Sequence, residues 1–122
     1  MVRAGKVANV SVSNCSFSGV GHLDKHRSRA AIFTDHTTSF RFSENEMGWL
    51  GRGIQLTFSS IGFVSNNTVH DVAGHGIQFW CNWNFQTQAC HTLSFIGNHV
   101  RNASGGADIW GTGAVGMNSP GR

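Results

Sequence analysis

The sequence predicts an all-β fold, a right-handed parallel β-helix wound as a solenoid of about four coils with no clear caps. Three observations predict it. Gly51-Arg52-Gly53-Ile54-Gln55-Leu56 returns 23 positions later as Gly74-His75-Gly76-Ile77-Gln78-Phe79. Each copy follows an Asn-x-apolar landmark, in the same order every time. Charged residues make up only 12% of the 122-residue chain, while glycine stands at 16 and proline at one. Low charge with many small polar residues suits a turn-rich β protein, and strong helix formers are scarce.

The first coil carries the short apolar strand Val10-Ser11-Val12, the landmark Cys15-Ser16-Phe17 and the strand Ala31-Ile32-Phe33. The second carries Phe40-Arg41-Phe42, Asn45-Glu46-Met47 and the hexapeptide at Gly51. The third carries Phe63-Val64, Asn67-Thr68-Val69 and the hexapeptide at Gly74. The fourth carries Leu93-Ser94-Phe95, Asn98-His99-Val100 and the looser Gly105-Gly106-Ala107-Asp108-Ile109-Trp110. The first strand begins almost at once, at Val7.

The spacings agree with one register. Ile32 to Ile54 is 22 positions, Ile54 to Ile77 is 23, and Ile77 to Ile109 is 32. The excess of nine falls between Cys81 and Cys90, and a similar surplus falls around His22 to Arg29. Solenoids accept such insertions at loops because the strand register is untouched. Stacking coils about 4.8 Å apart pairs each strand above and below. Ile54, Ile77 and Ile109 then form one inward ladder, Leu56 and Phe79 a second, and Met47, Val69 and Val100 a third. The asparagines stack at a corner, each amide bonding its neighbour and the turn backbone. Residues 1–116 form one domain and 117–122 a flexible tail.

No apolar run approaches the roughly 18 residues of a membrane span. The formal charge of +3 favours an anionic partner, yet no basic stripe with interleaved aromatics points to nucleic acid. No apolar leader follows Met1, which fits a piece of a longer secreted or cell-surface protein. Cys81 and Cys90 bracket an aromatic-rich loop and either close it as a disulfide or stay reduced, according to the compartment; Cys15 is left over. His22, His26 and His36 fall in the first insertion with Asp24 and Asp35, and the region reads as loop.

The units Val64-Ser65-Asn66-Asn67-Thr68-Val69 with Gly74-His75-Gly76-Ile77, and Phe95-Ile96-Gly97-Asn98-His99-Val100, resemble the repeats of the pectate-lyase-like superfamily. The likeness covers about residues 7 to 113. It implies a carbohydrate-active domain that recognises an anionic polysaccharide, with lyase-type cleavage as the implied activity. The same look is shared by non-catalytic surface, adhesin and phage-tail modules, and fold alone does not choose among them. Complete members carry more coils and an N-terminal cap, so this chain is expected to stack on further coils or a second copy through its sheet edges.

Outward positions of the hexapeptide strand place Phe33, Gln55, Gln78 and Trp110 in a column, with Trp80 and Trp83 nearby. Aromatic faces and amides suit a sugar ring, which needs apolar stacking plus directed hydrogen bonds. Gln55, Gln78, Trp80, Trp83 and Trp110 are therefore the candidate substrate-binding set. Arg52 and His75 hold one place in successive coils, as do His70 and Arg101, with Asp71 beside Asn102. A polyuronate lyase must neutralise a carboxylate, abstract the neighbouring proton and protonate the leaving oxygen. Arg52, His75, His70, Arg101 and Asp71 are the candidates for that chemistry. Calcium through Asp71 and Asp108 is the one cofactor considered, and two scattered acids make a thin site. None of the six acids form a facing pair of the kind hydrolysis needs.

Overall fold

The computed structural model describes residues 1–19, 30–80 and 90–104, and the backbone of a last strand at 109–112. The Trp83 and Cys81 positions, the His22–Arg29 insertion and the expected tail lie outside the described residues.

Three parallel sheets wall the solenoid. The first holds β1 (Val2–Gly5), β4 (Ala30–Asp35), β7 (Arg52–Thr57), β10 (Ile77–Trp80) and β13 (Ile109–Thr112). The second holds β2 (Ala8–Ser13), β5 (Thr38–Ser43), β8 (Ser60–Ser65) and β11 (Leu93–Ile96). The third holds β3 (Ser16–Ser18), β6 (Glu46–Leu50), β9 (Thr68–Val72) and β12 (His99–Ala103). Every coil visits the sheets in that order, and β13 opens a further turn. The chain is a right-handed parallel β-helix, the hand that parallel crossovers take.

The expected ladders are present. Ile32, Ile54, Ile77 and Ile109 share one register, and the first three are fully buried. Leu56 pairs with Phe79, and Met47 with Val69, which pairs in turn with Val100. The second sheet adds Val12, Phe42, Val64 and Phe95 in one row. In the row beside it, Phe40 stands next to Gly62, and a methyl group at Gly62 would collide with the Phe40 ring. The glycine gives its volume to that ring, so the row stays filled.

Three sequence expectations are revised. The first strand is β1 at Val2, paired with Ile32, and not the segment from Val7. The Asn-x-apolar landmark also opens a full strand rather than supplying one apolar residue. His36 sits at the corner after β4 and not in the first insertion.

Corners carry their own order. Asn45, Asn67 and Asn98 are buried between the second and third sheets. Asn45 Nδ2 donates to Asn67 Oδ1 and Asn67 Nδ2 to Asn98 Oδ1, both at 3.0 Å. The same nitrogens donate to the carbonyls of Val12 and Phe42 at 3.0 and 2.9 Å, and Asn98 Nδ2 to that of Val64 at 2.8 Å. Cys15, in the first coil's equivalent place, donates its backbone N–H to Asn45 Oδ1 at 3.0 Å. Its thiol is free and exposed, whereas Cys90 is disulfide-bonded.

The positive-φ residues also stack. They fall in four columns: Lys6, His36 and Phe58; Asn9, Ser39, Ile61 and Thr92; Asn14, Glu44, Asn66 and Gly97; Trp49, Asp71 and Asn102. Each column bends successive strands at one level. The backbone ladder continues through the bends, as where His36 N donates to Thr57 O at 2.9 Å and Phe58 N to Trp80 O at 2.8 Å.

Candidate functional site

The outward face of the first sheet brings together most of the expected binding set. Strand alternation points Ile77 and Phe79 inward, so Gln78 between them faces out. Phe33, Gln55, Gln78 and Trp110 share one register, as expected, and Arg3 joins the column with its guanidinium over the Phe33 ring at 5.4 Å. Arg52 opens β7 and donates from Nη1 to Gln55 Oε1 at 3.4 Å. His75 stands at the equivalent place one coil on, where Gly74 N donates to Gly51 O at 2.6 Å and pins the two corners together. Trp80 closes β10 beside Thr57 and is half-buried.

Gln78 departs from the expected solvent-facing residue. It is 4% exposed. Its Oε1 and the Arg52 Nε are buried without a hydrogen-bond partner among the described residues. A desolvated acceptor and a desolvated donor are costly to leave unpaired.

The other expected catalytic residues lie elsewhere. His70 and Arg101 are neighbours in register on the third sheet, on a different wall from Arg52 and His75. His70 leans into space that a side chain at Gly48 would occupy. Its Nδ1 lies 2.8 Å from Asp71 Oδ2 and its Nε2 3.6 Å from Glu46 Oε1. Asn102 Nδ2 donates to the other Asp71 oxygen. Hydrogen bonds from His70, then from Asn102, hold the Asp71 carboxyl below its ordinary range, with the charges of His70 and Arg101 adding to the effect. Glu46 was absent from the sequence-based set because its reach across one coil to His70 follows from register alone.

Both oxygens of Asp71 are engaged by nitrogen atoms, whereas calcium takes several oxygen ligands. Asp108 lies outside the described residues. Among the described residues no group of three or more His, Cys, Asp or Glu is placed to hold a metal.

The second sheet presents a surface that the sequence reading missed. Phe63, expected within an apolar strand, turns outward at 43% exposure, with Ile61 and Ile96 also exposed. The Arg41 guanidinium lies over the Phe63 ring at 5.0 Å. Alternation with Val64 was the available signal.

The family model described as a right-handed β-helix region matches residues 2–119. The chain belongs to that family. No curated protein and no solved structure matches it. The right-handed β-helix family fixes the scaffold of this protein, and its outward side chains must carry the argument for function.

Proposed function

We propose that this β-helix protein binds an anionic polysaccharide along the outward face of the first sheet. The observation that carries the reading is the partly exposed strip of Arg52, Gln55 and Trp80, with Arg52 Nη1 donating to Gln55 Oε1. A sugar hydroxyl both donates and accepts, so a ring on this face could bond Arg52 and Gln55 together. Arg52 supplies the charge for a uronate carboxylate, and Trp80 an apolar edge. The outward column runs across several coils through Arg3, Phe33 and Gln55, which suits a polymer better than a single sugar.

Elimination chemistry by all five candidate residues is not supported, since His70, Asp71 and Arg101 stand on another wall. Any cleavage would fall to Arg52 and His75. The disulfide at Cys90 supports an extracellular or cell-surface location. Further coils or a second copy are proposed to stack on the edges of the end coils, where the asparagine ladder could continue.

Affinity electrophoresis through polygalacturonate, alginate and a neutral glucan tests the reading. Retardation is expected in the two acidic gels, reduced at least tenfold in affinity by Arg52→Gln or Gln55→Ala and unchanged by His70→Gln. Equal retardation in the neutral glucan, or none lost in Arg52→Gln, would refute it. Appearance of unsaturated product absorbance in the same incubations would add catalysis to binding.

A further inference from the structure

A second candidate site lies on the second sheet, away from the polysaccharide face. The αL residues Asn9, Ser39 and Ile61 bend three successive strands at one level. Along that bend a cleft of about 360 Å³ opens, lined by Asn9, Ser11, Ser39, Arg41, Ile61 and Phe63. That volume lies at the lower end of the range for small-molecule sites.

Its walls divide by chemistry. Ile61 and Phe63 are 41% and 43% exposed, an unusual placement for large apolar side chains at adjacent outward positions. Asn9, Ser11 and Ser39 offer an amide and two hydroxyls. Arg41 is the cation, and no carboxylate pairs with it among the described residues. No Asp or Glu lines the cleft. The nearby acids Asp35 and Glu44 flank β5 at its corners, and Asp35 is engaged by His36 at 2.7 Å.

We propose that this cleft binds one sugar ring bearing a carboxylate. The ring's C–H face would lie on Ile61 and the edge of Phe63, whose face the Arg41 guanidinium covers at 5.0 Å, its hydroxyls would meet Asn9, Ser11 and Ser39, and its carboxylate would pair with Arg41. A peptide or helix needs a longer groove. A neutral sugar would leave Arg41 unused, and a plain aromatic acid would leave the amide and hydroxyls unused. The inference does not rest on the polysaccharide reading, since none of its residues belongs to the first sheet.

The test is ligand-observed saturation-transfer NMR with titration on the full chain, using methyl glucuronide, methyl glucoside and benzoate as probes. Methyl glucuronide should bind, with methyl glucoside and benzoate each at least tenfold weaker. In an Arg52→Gln background, which removes the first-sheet charge, Arg41→Gln and Phe63→Ala should each weaken the remaining glucuronide binding at least tenfold. Both cleft positions are solvent-facing, and circular dichroism confirms that the variants fold. Equal binding of benzoate, full binding by Arg41→Gln, or no saturation transfer from the glucuronide would overturn the proposal. Loss of binding in Arg52→Gln alone would assign the sugar to the first sheet and overturn it equally.

Discussion

Asn67 binds three coils to one another. Its amide donates to Phe42 O and to Asn98 Oδ1, and its oxygen accepts from the backbone and the side chain of Asn45. Asn67→Ala leaves these buried partners unpaired and should cost about 3 kcal/mol, read from urea unfolding midpoints. A loss under about 1 kcal/mol would mean that the ladder does not hold the corner. This ladder was legible because one residue type recurs. The opposite corner was not, because Thr37, Ser59 and Cys90 fill equivalent places with different chemistry: Thr34 Oγ1 lies 2.9 Å from Ser59 Oγ, and Thr37 N donates to the same oxygen at 3.2 Å. Gln78 shows the reverse cost. Its desolvated Oε1 makes no bond among the described residues, so Gln78→Met, similar in volume, should hold or raise stability by about 1 kcal/mol. A clear fall in the thermal midpoint would instead reveal a partner for Oε1.

At the scale of elements, the bends dominate. Ile61 adopts φ 59°, which a β-branched residue resists. Asn tolerates that region, so Ile61→Asn should gain about 1 kcal/mol by differential scanning calorimetry. No gain would mean that the bend is relaxed in solution. These bends also explain why the third sheet was hard to read. In β6, Met47 and Gly48 are both buried and Trp49, at φ 58°, turns out, so period-two alternation fails within the strand. The cluster on this sheet has a titration signature. The folded Asp71 carboxyl lies below its ordinary value of 3.8, so its stabilising contribution is complete above that value. It is lost as pH falls through the depressed folded value. Melting temperature followed from pH 6 down to about pH 2 should therefore fall less steeply on the acid side in Asp71→Asn than in the parent. Parallel curves would remove Asp71 from the acid response.

For the whole molecule, register made the fold legible and hid the sites. Inward positions repeat because each must fill the same core slot, as Ile32, Ile54 and Ile77 do. Outward positions such as Arg41, Phe63 and Gln78 are released from that demand, and nothing in their spacing shows which wall will be covered. The same one-dimensional stacking predicts how the molecule opens. Among the described residues, strands β1, β2 and β3 pair on one side, while β5 through β9 are flanked on both. Core residues of the first coil are less sealed, with Ala4 and Val12 at 8% exposure against 0% for Met47, Ile54, Leu56 and Val69. Opening an end coil breaks one interface, and opening a central coil breaks two. Amide hydrogen exchange of the isolated chain should therefore be slowest across β5 to β9 and about tenfold or more faster in β1 to β3. Uniform protection would mean that the coils open only together, and the nearest-neighbour picture would fail. With the gradient present, Arg52 and Gln55 lie within the most protected strands. Polysaccharide bound there would meet a surface already held in place, and its binding should slow exchange in β7 and β10 without changing that in β1 to β3.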